Sequence, residues 1–273
     1  MHAASREALE TLHERLEVVT SRFSTPDGMT NLAAELYSVV DLLVAQPQLR
    51  RMLSDPTTPS EGRAELAGRL FDGKVGASTL QILRDAVALR WSSPFDLLDA
   101  LETSADDVLF AAAEQAGELD EVEDELFRFE RVLDANSRLT TTFDDAAAQA
   151  ERRVALVRQL LGDKVRPVTL RLLEHAVASR RKHSVTLALD DLLELAAARR
   201  NRSMARVTSA VELTRAQQDR LAEALTELYG RPISIRAAVD PAVRGGLVVR
   251  VGDEVIDGSI ARRLAEARAL LGS

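Results

Sequence analysis

The chain has 273 residues, 46% hydrophobic and 29% charged, with a net charge of −8 and no cysteine. The length suffices for two domains with a buried core in each. The missing cysteines exclude a disulfide framework, a zinc–thiolate cluster, an iron–sulfur site and a cysteine nucleophile, and the charge has the wrong sign for a protein that chiefly wraps nucleic acid.

Met1 to Thr20 alternates charged residues (Arg6, Glu7, Glu10, Glu14, Arg15, Glu17) with apolar ones. That pattern predicts an amphipathic helix and lacks the continuous apolar core of a signal peptide. Uncharged stretches such as Leu42 to Leu49 fall far short of the roughly 20 apolar residues that cross a bilayer. Helical periodicity then dominates to about residue 204. Leu32, Leu36, Val39 and Leu43 share one face, as do Val122, Leu126, Phe129 and Leu133, about 90 residues further on.

Sliding Leu36–Arg90 onto Leu126–Arg180 without a gap pairs Leu43 with Leu133, Leu49 with Leu139, Asp55 with Asp145 and Arg63 with Arg153. Leu66, Leu70, Lys74, Val75, Thr79, Leu80 and Leu83 meet identical residues at Leu156, Leu160, Lys164, Val165, Thr169, Leu170 and Leu173. The matches lie mostly on apolar faces, as a duplicated core requires. Each copy reads as five or six short helices. Breaks are expected at Pro26–Gly28, Pro56–Pro59, Gly73–Gly76 and Ser92–Pro94, then near Gly117, Asn136–Thr142, Gly162–Pro167 and Lys182–Ser184. The copies are expected to meet near residue 105, with Asp106 opening a new helix.

From Met204 the period changes. Ala205–Ala210 reads as a strand and Thr214–Tyr229 as a helix with Leu221, Leu225 and Leu228 on one face, Thr214 and Gln217 in a capping box, and Gly230 as its stop. Ile233–Val239, Gly246–Val251 and Val255–Ile256 read as strands, with turns at Asp240-Pro241 and Gly252-Asp253. A helix over Ser259–Leu271 completes the prediction. The fold class is therefore mostly α: two tandem homologous helical bundles, 1–105 and 106–204, followed by a small α/β domain, 205–273.

Chemistry is sparse. Gly68, Gly73 and Lys74 imitate a phosphate-binding loop, but Val75 stands where a magnesium-holding hydroxyl belongs, and Arg158 and Asp163 replace both glycines in the second copy. His2, His13, His175 and His183 are dispersed without an i, i+4 histidine pair, so no metal site is expected. His175 and its counterpart Asp85 are expected to face solvent. The doublets Asp106-Asp107, Asp144-Asp145 and Asp190-Asp191 read as helix starts favoured by the helix dipole. Arg180, Arg181, Lys182, Arg199, Arg200 and Arg202 read as helix-end bases or as docking groups for an acidic partner helix. Nothing here is placed as an acid, base or nucleophile, so no enzyme activity and no cofactor are expected.

The C-terminal motif carries a family resemblance. Ile233-x-Ile235, Val239-Asp240-Pro241-x-Val243-x-Gly245-Gly246-Leu247-x-Val249-Arg250-x-Gly252 and Asp257-Gly258-Ser259 stand in the order found in the δ subunit of bacterial F-type ATP synthases, the counterpart of the oligomycin-sensitivity-conferring protein. Ala205-x-Val207-x-Ser209-Ala210, Leu109-Phe110, Leu119-Asp120-Glu121-Val122 and Arg180-Arg181 extend it upstream. In the motif itself, Gly245 and Gly246 suit positive φ or close backbone approach, and Asp257 or Ser259 suits a helix cap. The resemblance implies a non-catalytic stator subunit on the cytoplasmic face of the bacterial plasma membrane, touching the membrane only through partners. It implies a helical domain that holds the N-terminal helices of the α subunits and a C-terminal region that joins the b subunit, with no nucleic acid bound. Residues 1–105 would be an additional bundle. The competing reading is a free-standing helical-repeat adaptor.

Overall fold

Four prolines open helices rather than ending them. Pro26, Pro47, Pro94 and Pro167 each stand in the first helical turn, where the missing N–H is not needed and φ is already helical. The computed structural model describes residues 3–145, 147–179, 184–202, 204–230, 233–240, 243, 245–252 and 254–258. The chain divides into two units, Met1–Leu195 and Ala196–Ser273.

The first unit holds α1 (Ala3–Thr20), α2 (Pro26–Ala45), α3 (Pro47–Ser54), α4 (Ser60–Phe71), α5 (Ala77–Ala88), α6 (Pro94–Ala116), α7 (Leu119–Ala135), α8 (Ser137–Asp144), α9 (Ala150–Leu161), α10 (Pro167–Ala178) and the start of α11 (Val185–Arg202). Two breaks differ from the sequence reading. Pro26 begins α2 instead of ending a helix, and Ser137–Thr142 lies in α8, so the second-copy break narrows to Asn136. The helices α3, α4 and α5 recur as α8, α9 and α10 with lengths unchanged and an offset of 90 residues (Pro47 to Ser137, Ser60 to Ala150, Ala77 to Pro167). All eight apolar residues singled out on α2 and α7 are buried.

The duplication extends to hydrogen bonds. Glu35 accepts from the Gly76 N–H at 2.9 Å and from the Thr79 hydroxyl; Glu125 accepts from the Arg166 N–H at 2.9 Å and from Thr169. In each copy a carboxylate thereby satisfies an orphan donor at the start of a helix, where the helix dipole favours negative charge. Asp55 and Asp145 each accept from the N–H two residues on, at 2.9 Å. The side chains of Arg63 and Arg153 are buried and spend their donors on backbone carbonyls. The conserved register of Thr79/Thr169 and Arg63/Arg153 is thus a register of partners as well as of apolar faces.

A fresh helix at Asp106 is not found. α6 runs unbroken from Pro94, whose preceding Ser93 accepts from the Phe95 N–H, to Ala116, where Gly117 takes φ 72 and the Glu118 N–H reaches the Ala113 carbonyl at 2.8 Å. Nearly every residue from Leu97 to Glu114 is buried, so α6 is enclosed on all sides and packs against α1, α2, α3 and α5 as well as α7 and α10. The 90-residue offset carries α1 onto α6 and α6 onto α11. One helix therefore serves as the last of the first copy and the first of the second.

The second unit contains β1 (Met204–Ser209), α12 (Arg215–Tyr229), β2 (Ser234–Val239), β3 (Leu247–Val251) and β4 (Glu254–Asp257), in the order β2-β1-β3-β4. β1 and β2 are parallel across the α12 crossover, and the other pairs are antiparallel. Alternate residues Ala205 and Val207 of β1 meet Leu225, Ile233, Val249 and Val251 in one core. Thr214 and Gln217 form a capping box, and Gly230 closes α12 at φ 67. Of the three leucines expected on the inner face, Leu225 is buried and Leu221 half-buried, whereas Leu228 is exposed, and Tyr229, four residues after Leu225, packs against the core in its place. The expected helix over Ser259–Leu271 lies outside the described residues.

Candidate functional site

Under the repeat offset, buried Leu12 and Leu16 of α1 become Glu102 and Asp106 of α6, and both acids are buried as well. Buried carboxylates need partners. Tyr37 on α2 donates to Asp106 Oδ1 at 2.5 Å, and its ring stacks on the His175 imidazole with centroids 3.7 Å apart and planes 21° from parallel. His175 Nε2 on α10 lies 3.0 Å from Glu102 Oε1. A polar seam thus joins α2 of the first copy, the shared α6, and α10 of the second. Burial, followed by the Asp106 carboxylate, pushes the Tyr37 pKa well above the ordinary tyrosine value. Asp41 beside it is raised chiefly by burial, with His175 opposing.

These positions correct several expectations. His175 is enclosed rather than solvent-facing, and Asp85 pairs with Arg15 at 2.7 Å. None of the acidic doublets marks a helix start. Asp106 and Asp107 lie in the middle of α6, Asp144 ends α8 and accepts from the Val185 N–H at 2.7 Å, and Asp190-Asp191 lie within α11. Sequence reasoning missed the seam, although one signal was present: acids at core-facing positions of an otherwise apolar repeat.

The imitation of a phosphate loop is a helix end. Gly68 lies inside α4, where an added Cβ would meet Arg84 Nη2 at 2.5 Å, and Gly73 turns the chain at φ 70. In the second copy Arg158 stands at the Gly68 position and pairs with Glu174, which replaces Arg84. Arg199 of the basic cluster is buried, while Arg180, Arg181 and Lys182 lie outside the described residues. In the C-terminal motif, Gly245 and Gly246 take φ 80 and 84, the left-handed region that favours glycine. The Asp240 N–H donates to the Ser209 carbonyl at 2.9 Å, Asp257 pairs with Val248, and the Gly258 N–H donates to the Leu247 carbonyl at 2.8 Å. Pro241 and Ser259 lie outside the described residues.

An apolar cleft of about 360 Å³ opens on the second copy between α7, α8 and α9, floored by Phe129, Val132, Leu139, Leu160 and Val165 and rimmed by Arg128 and Lys164. Val132 and Leu160 are 46% and 36% exposed. Leu161 also lines the cleft, and in the first copy its place is taken by buried Phe71. A recess of this kind can seat an apolar anchor from a partner and place a charge near its rim.

Glu130 on α7 gives a testable pH dependence. Burial, then a hydrogen bond that its protonated carboxyl donates to Asp190 and the charge of Asp190, raise its pKa above the ordinary glutamate value. The folded chain then binds more protons than the unfolded chain just above that value, so this group's contribution to stability falls as pH rises through the interval. Asp190→Asn should shrink the fall. Urea midpoints measured from about pH 4 to about pH 7 check it, and an unchanged slope would count against the coupling.

Among the described residues no helix is long and apolar enough to cross a membrane. Residues 107–271 match the family described as the ATP synthase delta (OSCP) subunit. Three curated relatives, each named ATP synthase subunit delta, extend over nearly the whole chain. That of Streptomyces griseus is 46% identical over 98% of both chains. The protein of Streptomyces avermitilis is 45% identical over 100% of this chain and 99% of its own. In Salinispora arenicola the figures are 44% identity and 98% of each. The first helical copy, which lies outside the family match, is therefore covered by these relatives.

Proposed function

The chain belongs to the ATP synthase delta (OSCP) subunit family, and from that membership we infer that it is a non-catalytic peripheral-stalk subunit. It holds the catalytic head of a proton-translocating F-type ATP synthase to the membrane-anchored b subunit, so that rotation of the central stalk drives the catalytic sites instead of dragging the head round. The observation that carries this reading is the near-complete alignment, at 44–46% identity, with relatives named as this subunit. The chain sits on the cytoplasmic face of the bacterial plasma membrane and reaches the bilayer only through partners.

Its parts divide the work. Residues 1–105 form the additional bundle and 106–204 the bundle of the ordinary family chain, the two overlapping on α6. Residues 205–273 are the region that docks on b, and they carry the family-motif residues Asp240, Pro241, Gly245, Gly246, Asp257, Gly258 and Ser259. A connector under torque needs stiffness, and a helix common to both bundles supports that. The N-terminal helices of the α subunits are the partners of the helical part, for which helix-in-groove contact is the suitable mode. Several linked contacts raise the effective concentration of each.

Affinity purification of the tagged chain from detergent-solubilised membranes tests the assignment. The α, β and b subunits should accompany it in fixed proportion. Recovery of the chain without them, or with unrelated helical proteins, would replace the stator reading with that of a free-standing adaptor.

A further inference from the structure

The sheet of the second unit commits one face to its own core, where α12 packs over Ala205 and Val207. Arg206, between those two on β1, is exposed on the other face. Its register partners are Arg236 of β2 and Arg250 of β3, and both are exposed as well. Side chains opposite each other on neighbouring strands share a face, so three arginines stand in one row across the sheet. The row ends on β4 at Val255, the partner of Arg250, which is 44% exposed.

Like charges directly opposite each other weaken a sheet. Arg206 has one on either side, and among the described residues no carboxylate pairs with any of the three. A row that opposes the stability of its own sheet and finds no counter-charge within it calls for an anion from outside. The chain as a whole carries −8, so an anionic bilayer repels it, and a locally acidic protein segment is the favoured occupant. Strands about 4.8 Å apart spread the row over about 10 Å. Carboxylates at i, i+4 and i+7 of a helix lie on one face over about 10.5 Å, which matches that span. Each guanidinium can hold a carboxylate through two parallel N–H···O bonds. We propose that the arginine row is the docking face for an acidic amphipathic helix of a partner, laid across the strands with one carboxylate to each arginine and an apolar residue against Val255. Within the assignment above, that helix belongs to the b subunit; this identification rests on that reading, whereas the docking face does not.

The test replaces Val255 with the photoreactive residue p-benzoylphenylalanine in the full chain, within the membrane-bound enzyme, and identifies the crosslinked peptide by mass spectrometry. The crosslink should fall on one segment with acidic residues at helical spacing. Arg206→Glu, which reverses the charge at the centre of the row, should cut the yield by about tenfold or more. Arg215→Glu makes the same change of net charge at an exposed position on α12 and should leave the yield unaltered. Hydrogen exchange of the β1 amides in the isolated chain reads the fold: Arg206→Glu, set between two arginines, should slow that exchange. Faster exchange would show that Arg206 serves the sheet itself and would overturn the docking role. Equal crosslinking by Arg206→Glu would overturn it too, as would no crosslink, a crosslink to lipid, or one to a segment without such acids. A crosslink to an acidic helix of b supports both the face and the b assignment; one to an acidic helix of another subunit keeps the face and removes b as its partner.

Discussion

Arg63→Met should lower the unfolding free energy by about 3–5 kcal/mol and the melting temperature by roughly 10 °C. The guanidinium donates to the carbonyls of Asp55, Thr58, Val87, Ala88 and Leu89, and its residue is 5% exposed. Three of these carbonyls lie at the C-terminal end of α5, where a helix leaves acceptors without partners and favours a positive charge. One side chain therefore closes α5, fixes the 55–58 turn and holds α4 between them. Methionine fills similar volume but abandons all five acceptors, and each enclosed carbonyl left unmet costs about 1–3 kcal/mol before the structure relaxes. Among the described residues, Arg153 at the equivalent position reaches only the Phe143 and Ala178 carbonyls, at 3.2 and 3.3 Å. Arg153→Met should therefore cost less than Arg63→Met. Urea unfolding of both variants measures the difference, and a loss below about 1 kcal/mol for Arg63→Met would show that water readily replaces the guanidinium.

The contrast between these arginines marks how far sequence reading reached. Their ninety-residue alignment was visible, together with the apolar faces of α2 and α7, because a duplicated core repeats side-chain size at helical spacing. The capping box at Thr214 and the stop at Gly230 were legible because both are local. What the buried arginines bind was not legible, since their carbonyl partners lie up to 26 residues away and carry no side-chain signature. The shared helix was hidden for a related reason. Acidic residues in mid-helix resemble a helix start when nothing reveals that Tyr37, 69 residues upstream, supplies a hydroxyl to Asp106. His175, like its counterpart Asp85, reads as solvent-facing from sequence, whereas its ring rests on an aromatic residue contributed by the other copy.

Two truncations separate a chain made of two adjoining bundles from one in which they share α6. Residues 93–273 should retain a cooperatively unfolding second copy, whereas residues 106–273 should lose cooperativity and aggregate. The shorter chain begins at the boundary suggested by composition and pattern, but that cut removes the Ser93 cap and the first twelve residues of α6. Leu97, Leu98 and Leu101 leave with them, all fully buried, as does Glu102, the partner of His175. The remaining α6 would be an eleven-residue helix, below the about 12–15 residues at which even favourable sequences hold helical structure alone. Both truncations expose the side of α6 that faced the first copy, so the comparison isolates the cap, the buried leucines and the seam. Circular dichroism during urea unfolding reads the outcome. Equal stability and solubility of the two chains would contradict a structural role for residues 93–105 in the second bundle. The same pair tests the additional copy in the cell. Failed stator assembly with residues 106–273 alone would report a damaged α6, whereas failure with residues 93–273 would report loss of surfaces on α1 to α5.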